Sequence, residues 1–353
     1  MRYGKGIPDW AAAGGKQGFR AAFMVLLGAS LCASAAKGQV TLSWIRSNVL
    51  QKTSGSVDQA VPLPNGGFVI RDHDLRNEEN QAIEIFDERG RFIRKVGKFG
   101  EGPGQYFRLT SVAISDDGTI WATDLMGRLM RYGSSGQLLG TTLIQRPSYR
   151  VTSLALDEKH GAFYLAGCLP KEYYLNLGCT LVHQYTAKDS RYRRSFLETD
   201  KEAVEKNLLP FESYRLDVDD EGNIYAVDCP ILKLFRIDPR SARIETLPIK
   251  SRVIRSVEAL PLGQRPEFYH DAHDKAFLAD RVLVSGSAVA VSIRRPHPGG
   301  YVLEIFNRQG HQVGVDVDSP GELVGKGAFG SLFFVSKKGN AFEVAEYNVL
   351  GTF

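Results

Sequence analysis

The sequence predicts an all-β fold: six four-stranded antiparallel sheets set around an axis as a six-bladed β-propeller, with the last blade closed by the N-terminal strand. Three observations carry this. Between Asn80 and Leu139 the short runs Ala82–Phe86, Phe92–Val96, Ser111–Ser115 and Thr119–Thr123 alternate apolar and polar residues, cut by turns at Glu88-Arg89-Gly90, Asp116-Asp117-Gly118 and Ser134-Ser135-Gly136. Period-two alternation between such turns marks half-buried antiparallel strands. The pattern then recurs: segments 82–90, 128–136, 180–190, 232–241, 301–310 and 342–351 align as the third strand of six units, spaced mostly 41 to 54 residues apart. Finally, the sixth unit runs out of chain before a fourth strand, while Thr41–Leu50 precedes unit one without a unit of its own. A ring of sheets with one strand missing leaves an open edge, so Thr41–Leu50 is expected to fill it.

Taken in order, residues 1–35 read as an export signal. Arg20 precedes the apolar run Ala21–Cys32, and Ala33-Ser34-Ala35 supplies a small-x-small cleavage site. That run is too short for a spanning helix, which needs about 20 residues. Export is thus expected, to the periplasm or the medium, with no membrane span after cleavage. Residues 1–35 hold Arg2, Lys5, Lys16 and Arg20 against Asp9, a balance of +3 out of the chain's +4, which leaves about +1 for the rest. No basic face is implied, and a nucleic-acid partner is not expected.

Residues 40–353 then read as one propeller domain. First strands are expected at 57–61, 109–115, 151–157, 214–219, 276–284 and 322–325. Second strands are expected at 67–72, 119–124, 162–167, 223–228, 288–293 and 331–336, and fourth strands at 91–96, 137–142, 192–197, 243–248 and 311–317. The wider interval between Ser241 and Gly310 must hold an insertion.

Two segments carry a family resemblance. Asp219-Asp220-Glu221-Gly222-Asn223-Ile224-Tyr225-Ala226-Val227-Asp228 followed by Leu232-Lys233-Leu234-Phe235, and Ser111 through Asp124 with its Asp116-Asp117-Gly118 turn, resemble NHL-type repeats. The linker Val96 to Tyr106 resembles the inter-blade loop of exported bacterial six-bladed propellers. The resemblance spans residues 40–353; units one, two and four match well, and three, five and six loosely. It implies the fold rather than a function, because propellers host binding modules and enzymes alike.

Alternating strand direction sorts the connections. First-to-second and third-to-fourth turns share one face and are tight. Second-to-third loops and inter-blade linkers share the other, which carries the long segments 72–81, 97–107, 168–179, 198–212, 249–275 and 294–300. A ligand is expected on this long-loop face, at the mouth of the central channel.

Asp72, Asp124 and Asp228 end second strands there. They are open to two readings: a cation or acid/base site around the axis, or capping of the turn that follows. The resemblance implies the latter, since this Asp recurs in propellers without catalysis. His73 and Arg71 beside Asp72, His270 with His273 in the insertion, and Arg294-Arg295 before Pro296 are further binding candidates; a guanidinium fork suits a carboxylate or phosphate. The aromatic pair Tyr173-Tyr174 is open to stacking on a sugar or peptide. Cys168 and Cys179 flank a hairpin loop and invite a disulfide in an oxidising compartment. The cysteine spacing does not fit a zinc site, and the Gly97–Gly104 linker lacks the Gly-Lys-Ser/Thr ending of a phosphate loop.

No metal site is assigned and no cofactor is expected. The expected function is a monomeric binding module for a peptide, glycan or protein. The alternative is a propeller enzyme, either a metal-dependent hydrolase resembling the gluconolactonase group, using a divalent cation such as Ca, or a lyase. The channel-proximal starts of the first strands offer Asp58, Thr110, Thr152 and Ser213 for such a site, mostly weak ligands.

Overall fold

Six four-stranded antiparallel sheets form the blades, and a two-stranded parallel pair, Lys98–Phe99 with Gln105–Tyr106, sits in the linker between the first two. The computed structural model describes residues 40–50, 56–72, 81–144, 150–168, 180–206, 208, 213–252, 275–296, 298–327, 330–339, 341–351 and 353. The innermost strands of blades 1 to 6 are Gln59–Pro62, Leu109–Ile114, Arg150–Asp157, Tyr214–Val218, Leu278–Ser285 and Glu322–Lys326. In blades 1 to 5 the chain proceeds outward strand by strand.

Blade 6 is completed as expected. Thr41–Leu50 lies antiparallel to Ala341–Leu350, pairing Thr41 with Leu350 at one end and Leu50 with Phe342 at the other. The strand also reaches both neighbouring interfaces. Val40 packs with Leu303, Ile305 and Phe334 between blades 5 and 6, and Leu50 packs with Phe86, Phe333 and Val344 between blades 6 and 1.

The apolar core is divided accordingly into one cluster for each pair of adjacent blades. Tyr164, Phe196, Leu216 and Ile237 join blades 3 and 4. Val227, Leu247, Val291 and Phe306 join blades 4 and 5. Ile83, Val96, Tyr106 and Met130 join blades 1 and 2, and Trp121, Leu154, Phe163 and Tyr185 join blades 2 and 3.

This stacking revises the half-buried reading of the middle strands. Ala82–Phe86, Ile120–Asp124 and Ile224–Asp228 are buried at every residue, because a blade inside a ring has a neighbour on each face. Solvent is met by the outer strands, where Phe92, Ile93, Leu139 and Leu143 are exposed.

The inner strands hold one another through side chains. Gln59 Oε1 accepts from Val112 N at 2.9 Å, Ser111 Oγ from Leu154 N at 3.2 Å, Ser153 Oγ from Leu216 N at 3.1 Å, and Asp217 Oδ2 from Val284 N at 2.7 Å. Each carries the ring from one blade to the next by satisfying a main-chain donor at the edge of a sheet, which would otherwise be left without a partner inside the protein. Ser285 Oγ continues to Ser331 O at 2.9 Å. Between blades 6 and 1 the backbones themselves come together at Gly325 and Ala60. Across the axis, Lys326 Nζ of blade 6 reaches both carboxylate oxygens of Asp217 of blade 4, at 2.7 and 2.6 Å.

One buried group gives a pH test of the packed interior. His183, in the third strand of blade 3, is fully buried. Its Nε2 lies 3.3 Å from Gly167 O, which can only accept, so Nε2 carries the proton and Nδ1 accepts from Ser195 Oγ at 2.7 Å. Burial pushes this imidazole down to about 4 from the usual 6.5. A depressed histidine favours the folded state above pH 6.5, and this contribution is lost as pH falls through 4. It amounts to about 3 kcal/mol at 1.36 kcal/mol per unit. Glu304 and Asp228, raised by burial to about 8 and about 6, act in the opposite sense, contributing stability at low pH that is lost as pH rises through those values. The difference between wild type and His183→Gln isolates the histidine. Urea melts at pH 7 and pH 4 are expected to show a smaller acid loss in the variant, and equal losses would refute the assignment.

Candidate functional site

The starts of the inner strands converge at the end of the channel where the inter-blade linkers enter. Asp58 precedes the inner strand of blade 1, Arg215 is second in that of blade 4, Asp280 and Arg281 lie near the start of that of blade 5, and Glu322 opens that of blade 6. Arg71 joins them from the second strand of blade 1, opposite Gln59 in the register. Arg71 and Arg281 are only 5% and 8% exposed, while Asp58, Arg215, Asp280 and Glu322 are half-buried and form the wetter rim.

Each arginine is held by groups from other blades or strands. Arg71 pairs with Asp58, donates from Nε to Gln59 Oε1 at 3.0 Å, and from its terminal nitrogen to Leu109 O of blade 2 at 2.9 Å. Arg215 donates to Thr152 O of blade 3 at 2.8 Å and to Asp280 O of blade 5 at 3.0 Å. Arg281 donates to Asp58 O at 2.6 Å. That last bond runs from blade 5 to blade 1, past blade 6, so the Arg281 guanidinium lies across the channel itself.

The electrostatics follow from crowding charges out of water. Burial and the charges of Arg281 and Arg215 push Arg71 down to about 9. Arg281 is likewise lowered by burial, with Arg215 adding to the effect. Glu322 is pushed up to about 7, first by burial and then by Asp280, against the opposing pull of Arg281, a hydrogen bond with Tyr301, and Arg71. Among the described residues five buried side-chain polar atoms lack a partner: Trp121 Nε1, Asp157 Oδ2 and Ser292 Oγ stand apart, whereas Arg281 Nε and Asp280 Oδ2 fall together here. Buried donors and acceptors are almost always paired, so an open donor and an open acceptor on adjacent residues single this cluster out.

The acids read from the sequence sit elsewhere. Asp124 is fully buried and engaged locally: Oδ1 accepts from Met126 N and Arg128 N at 3.1 and 2.9 Å, and Oδ2 accepts from Phe107 N at 3.0 Å and from Arg128 Nε at 2.7 Å. Asp228 takes Ile231 N at 3.2 Å and the Tyr214 hydroxyl at 2.6 Å. Asp72 accepts from Ser56 N at 2.8 Å. These contacts hold turns and linkers at the ends of second strands, one place outward from the innermost strands. Among the described residues no three or more His, Cys, Asp or Glu side chains are grouped as metal ligands.

Arg294 ends the second strand of blade 5, and Arg295 lies 3.4 Å from the exposed Asp318. His73, His270 and Tyr173-Tyr174 lie outside the described residues, as do Cys179 and the side chain of Cys168. Cys229 is a buried free thiol pushed up to about 12 by burial, 3.0 Å from the Ser213 hydroxyl, and so is not a nucleophile at neutral pH.

Arg215, Asp280, Arg281 and Glu322 were not legible as a set from the pattern of alternation. The pairing of inner and second strands slips by one residue between Leu109 and Ser111, Val151 and Ser153, Ala279 and Arg281, and Leu323 and Gly325. A bulge re-aims every side chain on its near side. The available signal was positional: a charged residue within the first six positions of the expected first strand, in units four, five and six.

Comparison with known proteins agrees on the fold. The DUF5128 family model, described as a 6-bladed beta-propeller, matches residues 73–201. A search of the curated proteins finds no match. Among solved structures, the chain is similar to an exported-protein candidate from Bacteroides fragilis, at 13% identity and TM-score 0.53, covering 90% of this chain and 97% of that one. It is also similar to the RRP9 WD40 repeats, at 11% identity and TM-score 0.52 over 88% and 100% of the two chains. U3-55K gives 12% identity and TM-score 0.52 over 85% and 98%. At such identities the likeness is one of fold alone.

Proposed function

We propose that this chain is an exported binding module whose ligand seats at the channel mouth on the long-loop face. The buried, incompletely paired ionic cluster at the inner-strand starts is the observation that carries the reading. A structural ion pair is stable when every hydrogen-bonding atom is satisfied, and an unsatisfied one is tolerated where a ligand completes it. Export is supported by the Arg20 to Ala35 signal pattern. Among the described residues no helix is long and apolar enough to cross a membrane.

Hydrogen exchange during titration with a mixed panel of short peptides and oligosaccharides tests the location. Members that raise the melting temperature are expected to protect amides at 109–112, 214–216, 281–284 and 322–325. Protection confined to the opposite turns, at 87–90, 116–118, 219–222 and 307–310, would refute it.

A further inference from the structure

We infer that the channel-mouth cluster is a seat for a carboxylate-bearing ligand, gripped by Arg281 and Arg215, with a neighbouring hydroxyl or amide N–H of the same ligand donated to Asp280. This deepens the proposed function and rests on its placement of the ligand at the mouth.

Three features argue for it. The first is charge. Arg71, Arg215 and Arg281 meet Asp58, Asp280 and Glu322, and Asp58 is already taken by Arg71. Below about pH 7, where Glu322 holds its proton, the cluster carries three positive charges against two negative, so a monoanion neutralises it and a cation is repelled; with Glu322 ionised the charges balance. A dianion would overshoot.

The second is the pattern of open atoms. Arg281 uses one terminal nitrogen on Asp58 O and leaves Nε open, while Asp280 leaves Oδ2 open. A guanidinium edge matches the two oxygens of a carboxylate. An acceptor such as Asp280 Oδ2 calls for an O–H or N–H. A 2-hydroxy acid, a uronic acid and an N-acylated amino acid each supply both groups.

The third is access. The rim residues Arg215, Asp280 and Glu322 are half-buried and offer the approach from solvent; Arg281 Nε and Asp280 Oδ2 are themselves covered, so the ligand engages them only as the rim side chains turn aside.

A proton is linked to binding. The groups facing Glu322 are Asp280 and Arg281 from the inner strand of blade 5, Tyr301 from its third strand, and Arg71 from blade 1. A bound anion adds negative charge beside them and raises the Glu322 carboxyl further, so binding takes up protons and affinity falls as pH rises through about 7.

The probes are glycolate and N-acetylglycine against their neutral counterparts glycolamide and N-acetylglycinamide, with inorganic phosphate, compared at pH 8, as the dianion. Binding is read by calorimetry on the intact protein, and location by hydrogen exchange. The acids are expected to bind at least about ten-fold more tightly than the amides and to protect the inner-strand starts. Affinity is expected to drop several-fold from pH 6 to pH 8 in wild type and to be flat over that range in Glu322→Gln. Arg281→Met is expected to weaken the acids at least ten-fold; should it unfold, Arg215→Met gives the same readout. Acid and amide binding equally, phosphate binding more tightly than either acid, or none of the probes binding would overturn the inference. Neutral probes that still protect the mouth would leave the proposed ligand location standing, whereas protection elsewhere would remove both.

Discussion

A variant lacking residues 40–50 is expected to lose most of its resistance to urea and to aggregate as it unfolds. The strand is paired with Ala341–Leu350 at nine register positions. Main-chain hydrogen bonds contribute about 1 kcal/mol each on balance. Burial of Val40 and Leu50, at 4% and 1% exposure, adds about 2 kcal/mol apiece. The sum rivals the whole stability of an ordinary domain, about 5–15 kcal/mol.

The loss is also topological. Val40 belongs to the cluster between blades 5 and 6, and Leu50 to the cluster between blades 6 and 1. Removing the strand therefore loosens both interfaces of the blade that closes the ring, and leaves Ala341–Leu350 as an open edge. The exposed face of the same strand is a poor lever: Trp44 is 60% exposed, and Trp44→Ala is expected to change little. A synthetic peptide spanning residues 40–50 should bind the shortened chain and restore its urea midpoint. A shortened chain that melts like the full one would show that the ring closes without this strand.

The strand's role was legible in the sequence because it follows from counting. Six third strands with five fourth strands leave one vacancy, and Thr41–Leu50 was the one strand-like run outside the count. Strand ranges were legible for the same reason, since Gly- and Asp-bearing turns such as Asp116-Asp117-Gly118 and Asp220-Glu221-Gly222 punctuate the units at fixed offsets.

The site was less legible, for two physical reasons. Alternation tells which side of a strand a residue takes only while the register holds, and bulges at Thr110, Thr152, Asp280 and Val324 break it at the channel mouth. In addition, Arg281 finds its partner Asp58 at a separation of 223 residues, and Lys326 finds Asp217 at 109. No local pattern announces such a pairing. The more conspicuous acids, Asp124 and Asp228, drew attention because they end strands; each caps its own turn and also ties in a neighbouring segment, through Phe107 N and the Tyr214 hydroxyl.

Gly325→Ala is expected to destabilise the protein by about 3 kcal/mol or more, the upper end for overpacking. A Cβ built on Gly325 would run into the carbonyl oxygen of Ala60 and lie 3.1 Å from its carbon. Most oversized side chains in a core find relief in a neighbour's rotamer, but here the obstacle is backbone. Ala60 sits in the inner strand of blade 1, pairs with Ile70, and is itself fully buried. Blades 6 and 1 must therefore separate, at the seam where the last blade meets the first. Gly140→Ala is the matched control. It lies in the outer strand of blade 2, and the nearest atom to its added Cβ is an Arg131 nitrogen at 3.7 Å. With no clash, the substitution acts mainly on the unfolded chain and is expected to be neutral or stabilising by about 0.5 kcal/mol. Urea titration of both variants measures the contrast. If Gly325→Ala matched Gly140→Ala, the first and last blades would not be in main-chain contact, and the channel cluster that depends on the closed ring would lose its frame.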